Sequence, residues 1–75
     1  MKTLCITGAN GFIGSHVAVQ AAAQGYRLRL LLRSNPQPAV RDLGAQIFRG
    51  DVRNDADLAP FLEGADALLH VAGVN

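Results

Sequence analysis

Thr3-Leu4-Cys5-Ile6-Thr7-Gly8-Ala9-Asn10-Gly11-Phe12-Ile13-Gly14 is the stretch whose reading decides the fold. A short apolar, β-branched run passes directly into three glycines, Gly8, Gly11 and Gly14, one every third residue. Beyond them Ile13, Val17, Ala21 and Gln24 recur at helical spacing, and Gly25 stops the pattern. Glycine admits tight or positive-φ turns and lets a ligand approach where a Cβ would intervene. The N–H groups opening the next helix, with the positive end of its dipole, then face that ligand. A plain structural turn is the competing reading, since loops collect glycine for turn geometry. The strand before and the helix after favour an anion cradle, with a pyrophosphate as its natural guest.

The spacing excludes two relatives of this turn. A Walker A loop needs Lys-Ser/Thr after its last glycine, whereas Gly14 is followed by Ser15-His16 and the single lysine is Lys2. The G-x-G-x-x-G form has one residue between its first two glycines; here Ala9 and Asn10 stand there.

Strand and helix alternate along the rest of the chain. Tyr26 to Leu32 predicts a second strand whose leucines are dense enough for burial on both faces, as parallel sheets require. A short helix follows Pro36 and Pro38 through Val40 and Leu43, ended by Gly44, and Ala45 to Arg49 reads as the third strand. Asn54 caps a third helix, with Asp57 in a capping-box position and Leu58, Phe61 and Leu62 as its apolar face. Pro60 lies inside that helix, and Ala67 to Val71 is the fourth strand. This alternation implies right-handed βαβ crossovers, strand order 3-2-1-4, and a ligand edge at the carboxyl ends of the strands.

Composition narrows the class. The 75 residues are 49% hydrophobic, with net charge +1 and no basic stripe, which points to a globular piece of one domain and away from nucleic-acid binding. No apolar run approaches the roughly 20 residues of a membrane span, and the first residues lack a signal-peptide pattern. The single cysteine, Cys5, reads as a small buried hydrophobe and fits a reducing compartment, so the expected location is cytoplasmic.

Thr7-Gly8-x-x-Gly11-x-x-Gly14 resembles the fingerprint of the extended and atypical short-chain dehydrogenase/reductases, among them NAD(P)-dependent epimerases, dehydratases and dihydroflavonol-reductase-like enzymes. Gly50-Asp51-Val52 resembles that family's turn after the third strand, and His70-Val71-Ala72-Gly73 its segment after the fourth. The resemblance covers nearly the whole chain and implies the first half of a Rossmann-like, three-layer parallel sheet. It implies cofactor contacts from Gly8, Asn10, Gly11, Phe12, Ile13 and Gly14 at the turn. It adds Asp51 and Val52 at the adenine, and Ala72 and Gly73 toward the ribose and nicotinamide.

An NAD-preferring site ordinarily carries an acid at the end of the second strand. Here Leu32-Arg33-Ser34-Asn35 stands there, and no acid occurs before Asp42. A guanidinium binds a 2′-phosphate bidentately where a carboxylate repels it, so Arg33 and Ser34 favour NADP(H) over NAD(H). The competing readings are a solvated strand-end charge for Arg33 and a turn cap for Asp51. Arg27 and Arg29, nearer the strand's entry side, read as surface or edge charges. His16 reads as a helix-surface or satisfied interior residue and His70 as packed or hydrogen-bonded; neither sits in metal-ligand spacing.

In the family resembled, a Tyr-x-x-x-Lys pair carries the proton chemistry. Tyr26 is the single tyrosine and Leu30 stands four residues on, so no catalytic residue is assigned. The expectation is an amino-terminal piece of a longer enzyme, with the small-molecule substrate held by residues beyond it. Its fourth strand, with Leu68, Leu69 and Val71, would be open to association. A non-catalytic NADP(H)-sensing regulator or a structural subunit of the same fold is the alternative.

Overall fold

The computed structural model describes residues 1–71. Seven elements alternate: β1 (Thr3–Thr7), α1 (Phe12–Ala23), β2 (Arg27–Leu32), α2 (Pro38–Arg41), β3 (Gln46–Arg49), α3 (Asp55–Leu62) and β4 (Ala67–His70). All strand pairs are parallel and the order is β3-β2-β1-β4, the order expected from the alternation. Element ends differ from the sequence expectations by a residue or so, the usual uncertainty at frayed termini.

The leucines of β2 divide between two faces because side chains alternate along a strand. Leu28, Leu30 and Leu32 join Ile6 under α1 and α2, against Ala18, Ala21 and Val40. Leu31 and Cys5 point to the opposite face and pack on Phe61 of α3, flanked by Phe48, Leu58 and Leu62. The Phe48 and Phe61 rings meet edge to face with centroids 5.6 Å apart. The result is three layers with β1 and β2 at the centre.

The buried positions of α1 are Gly14, Ala18 and Ala21, while Ile13 is 66% exposed. The inward stripe consists of small residues, which lets α1 lie close to the sheet. Helix α3 corrects one expectation. Asn54 does cap it, its side chain accepting from the Ala56 N–H at 2.9 Å. Asp57, however, turns away from a reciprocal capping box and accepts from the Asp51 N–H at 3.0 Å. Arg29, expected as an edge charge, is half-buried and donates to the Phe61 carbonyl at 3.0 Å and to that of Glu63. These are last-turn carbonyls with no helical partner, and a guanidinium there both bonds them and complements the helix dipole. The Cys5 thiol donates to the same Phe61 carbonyl at 3.2 Å. Burial pushes its pKa up, against the pull of Arg29, so it stays a neutral donor.

Phe61 is the largest fully buried side chain among the described residues. Phe61→Ala is expected to cost about 3–5 kcal/mol. Urea denaturation should show this as a lowered midpoint at an unchanged m-value.

Candidate dinucleotide-binding edge

The carboxyl ends of β1, β2 and β3 bring three turns to one edge of the sheet. The first is the glycine turn after β1. Gly8 adopts φ +77°, and a Cβ there would lie 2.1 Å from the Val71 carbonyl oxygen, so the turn passes against the backbone following β4. Gly14 allows the reverse approach: its Cβ would stand 1.9 Å from the Gly8 carbonyl oxygen. These two glycines are therefore required by the protein's own backbone. Gly11 is different. It has an ordinary extended conformation (φ −76°, ψ 166°), and a Cβ would meet only the Gly8 carbonyl oxygen, at 3.3 Å.

Gly11 is also the N-cap of α1, and its N–H donates to Gly8 O at 3.0 Å, closing the turn. The N–H groups of Phe12, Ile13 and Gly14 belong to the first turn, where a helix provides no intrahelical acceptor. Among the described residues no side chain caps this end, and no acid stands in the first turn. The donors and the dipole are thus left uncompensated by the protein, which suits an anion. Phe12 and Ile13 are exposed beside them, Phe12 resting edge-on against His16 with centroids 4.9 Å apart. His16 is a surface residue, as read from the sequence.

Thr7 and His70, register partners at the ends of β1 and β4, are joined by a hydrogen bond between Oγ1 and Nδ1. This fastens the strand ends immediately before the turn. The expected contacts Ala72 and Gly73 lie outside the described residues.

The second turn follows β2. Arg33 and Ser34 are exposed at its start. Asn10, on the glycine turn, donates through Nδ2 to Ser34 Oγ at 3.2 Å and to the Asn35 carbonyl at 3.1 Å. Its Oδ1 accepts from the Gln37 N–H at 2.9 Å. Asn35 Oδ1 in turn accepts from Arg49 Nη1, at the end of β3, at 2.6 Å. Nothing in the residue pattern signals this stapling, which engages Asn10 with the protein where the resemblance implies a direct cofactor contact.

The third turn follows β3. Asp57 reaches back from α3 into the space beside Gly50, where a Cβ would come within 2.7 Å of its side chain. Asp51 is held on both oxygens by Arg53, with Nη2 to Oδ2 at 2.7 Å and Nε to Oδ1 at 3.1 Å, and it also accepts from the Arg53 N–H at 2.9 Å. Arg33 stands farther off, 3.9 Å from the same carboxylate. The Arg53 side-chain and backbone hydrogen bonds hold the Asp51 carboxyl well below the ordinary carboxylate range. Arg53 is the residue that sequence reading passed over, and its place two residues after Asp51 was the available signal. Val52 is partly exposed beside the pair. A shallow depression lined by Met1, Lys2 and Tyr26 lies at the opposite, amino-terminal end of the strands and shares no residue with this edge.

A parallel sheet with an uncompensated helix N-terminus, a glycine turn and polar strand ends defines a dinucleotide-binding class of fold. Residues 4–75 match the model of the NAD dependent epimerase/dehydratase family, and the chain belongs to that family. It is similar to a ceramide reductase from Caulobacter vibrioides, with 39% identity over 72 residues, covering 95% of this chain and 23% of that protein. It is also similar to a UDP-glucose 4-epimerase from Klebsiella pneumoniae, at 33% identity over 85 residues, covering 100% of this chain and 60% of that protein. A solved UDP-glucose 4-epimerase structure superposes with TM-score 0.82 at 27% identity, over 99% of this chain and 23% of that one. The chain thus spans under a quarter of the reductase and of the solved epimerase.

Two predictions follow from this geometry. Gly14→Ala should abolish the cooperative thermal transition, while Gly11→Ala should leave the midpoint within roughly 5 °C. Arg53→Gln should raise the Asp51 pKa toward the ordinary carboxylate value of about 3.9 without reaching it, because the backbone N–H of residue 53 and the Arg33 charge still favour the ionised form. A side-chain NMR titration would read this directly, with wild-type Asp51 remaining ionised well below that pH. Because the folded pKa is depressed, the pair's stabilisation is present above the unfolded pKa and fades as pH falls through the folded one.

Proposed function

We propose that this chain is the cofactor-holding part of an NAD(P)-dependent reductase, epimerase or dehydratase, and that its guest is NADP(H) in preference to NAD(H). The observation that carries the reading is Gly11. Positive φ explains Gly8 and close backbone contact explains Gly14, whereas Gly11 has negative φ and a Cβ there would meet one backbone atom, at 3.3 Å, so the protein's own packing constrains it least of the three. A missing Cβ over the free N–H groups of a helix start is what a bound pyrophosphate needs.

The nicotinamide, when bound, supplies the hydride chemistry common to reductases, epimerases and dehydratases. The residues here bind and orient. The N–H groups of Phe12, Ile13 and Gly14 donate to the pyrophosphate, with Gly8 and Gly11 keeping the approach clear. The Asp51 carboxylate and the Val52 backbone receive the adenine edge. Arg33, exposed and held among the described residues only at 3.9 Å by Asp51, can turn to a 2′-phosphate, with Ser34 beside it. Proton transfer and substrate contacts come from residues beyond these strands, in keeping with relatives several times longer.

The test is cofactor preference in the intact protein, measured by binding titration. Arg33→Asp should reverse the NADPH-to-NADH affinity ratio by about tenfold or more. An unchanged ratio would reduce Arg33 to a solvated strand-end charge. Gly11→Ala should weaken both cofactors alike while leaving the fold intact.

A further inference from the structure

We propose that Asn10 is a positioning residue for cofactor selectivity, acting through the turn after β2 rather than by touching the cofactor. The inference rests on the NADP(H) reading of Arg33 and Ser34. An asparagine amide has two donor hydrogens and one acceptor oxygen. All of them are committed here to the protein: Nδ2 to Ser34 Oγ at 3.2 Å and to the Asn35 carbonyl at 3.1 Å, and Oδ1 to the Gln37 N–H at 2.9 Å. Three bonds from one side chain therefore span the turn from Ser34 to Gln37.

That turn has few other restraints. Ser34, Asn35 and Gln37 are exposed, and among the described residues Arg33 has only its long contact to Asp51. Its second tether, Arg49 to Asn35 Oδ1 at 2.6 Å, comes from β3. Arg33 itself follows Leu32, whose carbonyl accepts from the Gly50 N–H at 3.0 Å, so β2 fixes where the turn begins and Asn10 fixes its course from Ser34 to Gln37 beside the Arg33 guanidinium. Because Asn10 itself stands in the glycine turn, it fixes the distance between the place for a pyrophosphate and the place for a 2′-phosphate. Preorganising that distance raises the affinity of a ligand that uses both places and leaves unchanged one that uses only the first.

Asn10→Ala tests this in the intact protein. Among the described residues, non-glycine positions have no positive φ, so alanine is compatible with the backbone at this position. Affinities for NADPH and for NADH would be measured by calorimetric titration. The expected result is a loss of about tenfold for NADPH, with NADH held within about twofold. Equal loss for both cofactors would mean that Asn10 touches the shared pyrophosphate end, and no loss would mean that the turn holds itself; either overturns the proposal. Amide hydrogen exchange on the cofactor-free wild type is a second measurement that needs no variant. The Gln37 amide should be protected before any cofactor is added, and rapid exchange there also overturns the proposal. Arg33→Asp separates the two levels: an unchanged cofactor ratio in that variant removes the NADP(H) reading itself, whatever Asn10 does.

Discussion

The Gly8 carbonyl and the Gly14 Cα share one small volume, and the rest of the structure depends on that contact. A single methyl at Gly14 would lie 1.9 Å from the carbonyl oxygen. With hydrogen in its place, α1 begins directly against the end of β1 and continues along the sheet on Gly14, Ala18 and Ala21. The small side chains on this stripe permit the same closeness. The approach also aims the opening N–H groups of α1 at the sheet's ligand edge, so a packing constraint and a binding geometry arise from one contact.

Along that edge the turns are held less by apolar burial than by polar side chains crossing from one turn to the next. Asn10 joins the first turn to the second, Arg49 the third to the second, and Arg53 holds the Asp51 carboxylate in place. Exposed ion pairs and hydrogen bonds contribute little stability each. Their effect here is geometric: they fix relative positions where no hydrophobic core is available to do so. The two faces beneath are held differently. Aliphatic packing secures α1, whereas α3 combines Phe61 with the Arg29 guanidinium on its terminal carbonyls.

Strand order, the glycine turn and the buried leucines of β2 were legible in the sequence because each follows from periodicity or from glycine's lack of a Cβ. Long-range polar partners were not legible. Asn10 meeting Gln37, Asp57 turning back to Asp51 and Arg29 reaching Phe61 depend on how turns and helices are placed in space, and side chains of these types serve equally well as ligands, caps or solvated charges. Helical spacing likewise identifies a stripe but not which of two adjacent stripes faces the sheet, and here the buried one consists of the smaller residues.

The parallel order has a consequence in time. Thr7 pairs in register with His70, and 63 residues separate them. At typical synthesis rates of about 5–20 residues per second, β1 waits roughly 3–13 s for β4 after it is made. β2 follows β1 after one helix, so the β1-α1-β2 unit can assemble while that interval runs. Once β2 has paired, and until β4 arrives, one of the two central strands of the finished sheet is an edge strand, with one side open to whatever strand arrives first. The nascent protein therefore passes through a stage at which a strand later enclosed on both sides is open on one.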